Sequence, residues 1–417
     1  MGLAGRFRAL PAGRARGLAL ASLIDWAGTG VWLTTSTVLM VRIVGLTAAQ
    51  VGLGLTAGGV LGLAAVWPVT MATRRWPVRQ VATAVQLLRG LFFLSFLLVH
   101  SAPAYYLAAA LVAIVDRPAT SVNQILVSRY VPDTERTATL AVMHVATNAG
   151  TMAGALVASL ALLLPSRGSL DAVVLANSAS FLLAAWQVRR AAAGEEATPA
   201  PDAAAGGAAR PRASWLSFRF LLVTFGCAAL ALLFPLFNVE IPLWLTTRTG
   251  VPTVTVSLLF LLNTILVVAF QTRLTRWVTG VRAGVRAGAV AAACLVCCCG
   301  VLAALPGLVT WVAAAGFVLA ALLVTLAEMN QGSAAWTLSF GLSPAADTTR
   351  ALALFNTGQA AAFVLGPALW TATVAWAGRS GFAVVAALIA AGAGAVALDA
   401  RRGTEPAAVT LAGAGPG

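Results

Sequence analysis

AAALVAIVDRPATSVNQILVSRYVPDTERTATLAVMHVATNAGTMAG, from Ala108 to Gly154, is two apolar stretches joined at Tyr130-Val-Pro-Asp-Thr-Glu-Arg136. Each stretch is long enough to cross a hydrocarbon layer, which takes about 20 largely apolar residues. The joint reads as a proline, an acid and then an arginine, and the same order returns at Gly341-Leu-Ser-Pro-Ala-Ala-Asp-Thr-Thr-Arg350. The basic loop Arg74, Arg75, Arg79 is likewise matched by Arg273, Arg276, Arg282, Arg286. A chain that repeats its loops in this way is expected to be built from two parallel halves.

Working outward, apolar segments of membrane length fall at 17–41, 48–72, 81–99, 103–128, 138–164 and 170–188, then at 218–246, 252–272, 287–305, 308–336, 350–376 and 380–400. The pattern predicts an all-α membrane protein with twelve transmembrane helices. Its parts are a tail 1–16, a six-helix half 17–188, a linker 189–217, a second six-helix half 218–400 and a tail 401–417. The linker is rich in Ala, Gly, Pro and charge and lacks apolar periodicity, so it reads as disordered. The first apolar stretch is too long for a signal-peptide core and should remain as helix 1.

Composition agrees, since the chain is 60% hydrophobic and 10% charged, against about 25% charged in a soluble domain. All 27 basic side chains are arginine. Twenty-one of them fall in the amino terminus, the even-numbered loops and the carboxyl tail, four in the odd-numbered loops and two within helices. The positive-inside rule then puts both termini in the cytoplasm, and it explains the net charge of +14 without nucleic acid. An ATP-driven pump is not expected, because a chain without lysine has no phosphate-binding Gly-x-x-x-x-Gly-Lys motif. Cys294, Cys297, Cys298 and Cys299 have no His neighbour and read as small packing residues, so neither a metal nor a cofactor is expected.

Asp116-Arg-Pro-Ala-Thr followed by Arg129-Tyr-Val-Pro-Asp-Thr-Glu-Arg136 resembles the corresponding stretch of bacterial drug and metabolite exporters of the major facilitator superfamily. Asn148-Ala-Gly-Thr-Met-Ala-Gly154 resembles the helix 5 antiporter motif, with Ala155 where proline normally follows. Thr70-Met-Ala-Thr-Arg-Arg-Trp-Pro-Val-Arg79 resembles the signature loop in its basic residues alone, since the aspartate and glycine are absent. The resemblance implies a monomeric transporter of the bacterial inner membrane, with the lipid bilayer, protons and a small molecule as partners, and not an enzyme.

An ionisable side chain costs roughly 2.5–3.5 kcal/mol in a membrane helix, so each needs a partner or a wet cavity. Asp25, Asp116, Glu240 and Glu328 lie in predicted helices 1, 4, 7 and 10, which the resemblance makes the cavity-lining set. They are the proton-coupling candidates. Ser22, Asp25, Thr29, Trp32 and Ser36 share a face at helical spacing, as do Asp116, Thr120 and Asn123, and Thr325, Glu328 and Gln331. Glu240 lies between Leu236 and Trp244, near enough the helix end to be a solvent-exposed lip residue. Trp26, Arg89, Arg117 and Asn148 complete the cavity candidates, with an Asp116 salt bridge to Arg117 or Arg89 as the alternative role. Arg136, Gly150, Gly154, Arg350, Gly366 and Pro367 are expected to pack or gate. His100 and His144 read as incidental. The expected function is proton-coupled export of a small amphipathic or cationic compound. Nutrient uptake and a non-transporting scaffold or sensor stay open.

Overall fold

A computed structural model of the chain describes residues 13–163, 166–194, 217–344 and 347–402. Most of the predicted linker and most of both predicted tails lie outside them. The first half comprises α1 (Arg14–Arg42), α2 (Ala48–Ala72), α3 (Val78–Phe93, prolonged by a 3₁₀ turn Leu94–Leu98), α4 (Ala102–Tyr130), α5 (Asp133–Leu163) and α6 (Arg167–Ala191). The second comprises α7 (from Phe218 to Arg248, interrupted), α8 (Val254–Thr275), α9 (Gly280–Ala304), α10 (Thr310–Gly341), α11 (Thr348–Ala377) and α12 (Arg379–Arg402).

Helix ends follow local chemistry. Thr47 and Gln50 form a reciprocal capping box that starts α2, with Gln50 Oε1 accepting from the Thr47 N–H at 2.9 Å. Proline disrupts α7, because Pro235 and Pro242 bring no N–H to the helical ladder. Between them Leu236–Glu240 widens into a π turn, in which the Ile241 N–H reaches back to the Leu236 carbonyl. Trp370 Nε1 donates to the Leu232 carbonyl at 3.0 Å, and Asn238 Nδ2 to that of Phe234 at 2.7 Å, so side chains satisfy carbonyls beside the break.

Among the described residues ten helices, α2, α3 and α5 to α12, are long and apolar enough to cross a membrane. The predicted twelve spans also need α1 and α4, which are long but more polar. They carry Asp25, and Asp116 with Arg117, Asn123 and Gln124. Large apolar side chains point outward, among them Leu98, Trp311 and Trp376, as expected of a surface wetted by lipid.

The two halves repeat one packing scheme. In the first, α1 packs on α5 and α6, α2 on α4, and α3 on α4 and α6. Adding six to each number gives the pairings of the second half: α7 on α11 and α12, α8 on α10, and α9 on α10 and α12. The halves meet through α2 on α11 and α5 on α8, two contacts exchanged by the same shift. Close approach of α5 to α1 depends on glycine. A Cβ at Gly150 would lie 2.6 Å from the Leu23 carbonyl oxygen, and one at Gly154 would lie 2.1 Å from that of Ala27. Gly150 and Gly154, two of the three glycines expected to pack or gate, are therefore at a helix crossing.

Buried apolar clusters differ between the two ends of the bundle. At the arginine-rich end one cluster crosses between the halves, with Leu352 of α11 joining Val122, Ile125, Leu126 and Tyr130 of α4, and Trp336 and Phe340 of α10 packed against it. Each half fills the opposite end with a cluster of its own.

Candidate functional site

Two of the interior polar clusters are built around hydrogen-bonded carboxylates. The first belongs to the first half and centres on Arg89 of α3, which is 3% exposed. Its Nη1 donates to Asp25 Oδ2 of α1 at 2.6 Å, and its Nη2 and Nε donate to Asp116 Oδ1 of α4 at 2.7 and 3.1 Å. Gln86, one helical turn earlier on α3, donates to the same Asp25 oxygen at 2.8 Å and accepts from Arg89 Nη1 at 2.6 Å. The guanidinium lies 4.1 Å from the ring centroid of Phe181 on α6. Thr29 donates to the Asp25 main-chain carbonyl at 3.0 Å and approaches its Oδ1 at 3.4 Å.

Of the two salt bridges open to Asp116, the one to Arg89 forms. Arg117 points instead along α2, where a Cβ at Gly62 would meet its Cγ at 2.6 Å. The Asp116 side chain keeps 38% of its surface exposed, whereas that of Asp25 keeps 5%. Asp25 is thus committed to this network, and Asp116 has an open side.

The second cluster crosses between the halves. Glu328 of α10 accepts from Asn263 Nδ2 of α8 through Oε2 at 2.8 Å, and its Oε1 lies 3.1 Å from His144 Nε2 of α5. Asn263 Nδ2 also donates to Thr325 Oγ1 at 3.1 Å. Asn148, one turn along α5, approaches His144 Nε2 at 3.4 Å, and the Trp336 ring meets the imidazole edge-on with centroids 5.8 Å apart. The expectation that His144 is incidental is corrected here. A lone imidazole in an apolar run has no sequence signal for a partner in the other half. Its i, i+4 spacing to Asn148 was the available hint. His100 remains peripheral, exposed at a helix end.

Glu240 is corrected differently. It is 1% exposed rather than a lip residue, and its Oε2 is buried with no hydrogen-bond partner among the described residues. Trp244 lies in the core of the second half, donating to the Leu302 carbonyl at 2.9 Å and packing edge-on against Phe382. The π turn adds a residue to the helical count between Leu236 and Ile241, and Leu236, Glu240 and Trp244 are all buried.

The remaining candidates divide by place. Trp32 packs edge-on against Phe93 and at a tilt against Phe96 of the first half, with centroids 4.7 and 4.5 Å apart. Trp26 and Asn123 are half-buried and Thr120 is exposed. Gln331 donates to Gln359 of α11 at 3.2 Å. Gly366 abuts the break in α7, where a Cβ would lie 2.5 Å from Pro235 Cγ, and Pro367 follows it inside α11. Arg136 donates to the Ser128 and Val131 carbonyls and pairs with Asp133 at 2.6 Å, which fixes the turn between α4 and α5. Arg350 pairs with Asp347 at 3.1 Å.

Side chains that the sequence reading did not select hold the halves together at the arginine-rich end. Gln124 of α4 donates to Ser339 Oγ of α10 at 2.8 Å and accepts from Asn356 Nδ2 of α11 at 2.6 Å. Arg129 Nη2 donates to Thr349 Oγ1 at 3.4 Å. Arg74, in the loop that lacks the signature aspartate, lies 3.8 Å from Asp347 at the start of α11. In that pair the acid comes from the second half and the base from the first. The four cysteines of α9 are free thiols, and no group of potential metal ligands occurs among the described residues.

Long apolar helices in two matching sets, with ion pairs and amides buried between them, define a polytopic membrane protein of the transporter class. The chain belongs to the major facilitator superfamily, whose model matches residues 18–339. No curated protein matches at the level of sequence. Similar solved structures include the human organic anion transporter MFSD10 (TETRAN), at 15% identity over 92% of this chain and 98% of that one, with a TM-score of 0.70. A bacterial homologue of the iron transporter ferroportin in an outward-facing state is similar at 14% identity over 93% and 99%, with a TM-score of 0.76. At these identities the likeness is one of fold.

Proposed function

We propose that the chain is a secondary transporter that couples proton movement to the export of a small amphipathic or cationic organic compound. It works as a monomer by alternating access of two six-helix halves, with twelve spans in a bacterial inner membrane and both termini cytoplasmic. The observation that carries the coupling is the contrast between the two clusters. Asp25 and Asp116 share one guanidinium as their counterion. Glu328 has an imidazole and an amide instead. A coupling carboxyl must lose and regain its proton in each cycle, so Glu328 suits that role better than Asp25.

Hydrogen bonds between halves at the arginine-rich end, and separate cores at the other, support an outward-facing state in which the cytoplasmic end is shut. The ferroportin homologue is described in the same state. One neighbour is described as an organic anion transporter and the other as a homologue of an iron transporter, so the likeness of fold does not select the cargo. Preference for a cation rests on Glu240 and Glu328, neither of which forms an ion pair with an arginine among the described residues.

Deleting the gene should raise both intracellular accumulation of, and sensitivity to, a subset of lipophilic cations. Unchanged sensitivity together with reduced uptake of a nutrient would overturn export in favour of import.

A further inference from the structure

Resting on the proposed role of Glu328, a second residue can be assigned to the coupling site. His144 and Glu328 come from opposite halves and touch at 3.1 Å, so their contact exists only while α5 and α10 are held together. His144 is the more open partner, with 22% of its side chain exposed against 8% for Glu328. Asn263 occupies the other Glu328 oxygen and Asn148 flanks the same imidazole nitrogen. Both carboxylate oxygens therefore have partners, and a single proton can lie on either side of the Nε2–Oε1 contact.

Competing charges are directed elsewhere. On the helices packed against α5, Asp25 of α1 and Asp116 of α4 both face Arg89. Arg117 of α4 lies along Gly62 of α2. The single ionisable side chain of α8 is Arg273, more than two turns beyond Asn263, and Asp171 of α6 pairs with Arg167 near that helix's start. Arg136, at the start of α5 itself, is held by Asp133. Glu328 is the acid of α10 and the one ionisable group shown in contact with His144.

We infer that His144 is the second proton-accepting residue of the coupling site, exchanging one proton with Glu328 while the halves are closed around the pair. When the halves part, the Nε2–Oε1 contact breaks, and the proton leaves with whichever group holds it. Either His144 departs protonated and Glu328 is left as a carboxylate, or Glu328 keeps the proton and His144 departs neutral. Which half faces which compartment is thereby tied to proton occupancy.

The chain has two histidines, so His100→Gln leaves one imidazole, and ¹⁵N-labelled histidine in the full chain in nanodiscs reports on His144 alone. Glu328→Gln should displace the pH range over which its resonance changes by about one unit or more. In proteoliposomes His144→Gln, which keeps a polar side chain but cannot titrate, should flatten the pH profile of transport over the same range. A His144 midpoint unmoved by Glu328→Gln would overturn the assignment even if His144→Gln failed to fold. So would an unchanged pH profile in a well-folded His144→Gln protein. If Glu328→Gln instead keeps full proton-driven transport, the coupling role of Glu328 itself fails.

Discussion

Replacing Arg89 by Gln removes the guanidinium shared by Asp25 and Asp116, and the size of the effect follows from their unequal burial. Asp25 is 5% exposed at its side chain, with Gln86 and Thr29 as its remaining polar partners, so it would become a buried charge without a counterion. Removing one partner of a buried ion pair costs about 3–5 kcal/mol. Asp116, 38% exposed, can turn to water and adds little beyond that. Lost contact with the Phe181 ring contributes about 0.5–2 kcal/mol. The folded-to-unfolded ratio of Arg89→Gln should fall by about 2.5 to 5 orders of magnitude, since about 1.4 kcal/mol is a factor of ten. Unfolding in mixed dodecyl maltoside and SDS micelles can be followed through the 12 tryptophans. Adding Asp25→Asn should recover most of the loss, because the uncompensated charge disappears with it. Arg89→Gln with a wild-type midpoint, or a double variant no more stable than the single one, would refute the ionic account of this cluster.

Gly154→Leu should prevent α5 from seating on α1 and reduce the yield of folded protein, since even a Cβ would lie 2.1 Å from the Ala27 carbonyl oxygen. Size-exclusion profiles of variants at Gly154 and at Gly52, where a Cβ meets nothing within 4 Å, should separate the two sites. Gln124→Leu and Asn356→Leu should each weaken closure at the arginine-rich end. At about 1 kcal/mol for a neutral hydrogen bond, the open population should rise about five-fold, as read by distances between spin labels on α4 and α10.

Helix placement was largely legible in the sequence because a bilayer admits few structures: apolar runs of sufficient length must be helical. The segment predicted at 48–72 and the helix Ala48–Ala72 coincide. Legibility failed where one helix departs from regular spacing. Pro235 and Pro242 were visible, but the π turn between them was not, and Glu240 proves buried rather than at the helix lip. The carboxylates were found because hydrocarbon makes charge conspicuous. Their partners were not all found, because which residues of separate helices meet depends on helix rotation, which no single segment encodes. Arg89 stood out as a charge. Gln86, Asn263 and His144 carry no such signal, yet they are the side chains that Asp25 and Glu328 meet. The loop without its aspartate illustrates the same limit, since Asp347 lies far away in sequence beside Arg74.

The central claim, proton-coupled transport through Glu328, is tested most directly in proteoliposomes that hold the purified chain and a fluorescent lipophilic cation under an imposed pH gradient. Wild-type protein should move the cation against its concentration gradient, whereas Glu328→Gln should lose this driven movement while still exchanging labelled for unlabelled cation across the membrane. Driven movement by Glu328→Gln at the wild-type rate would contradict the account.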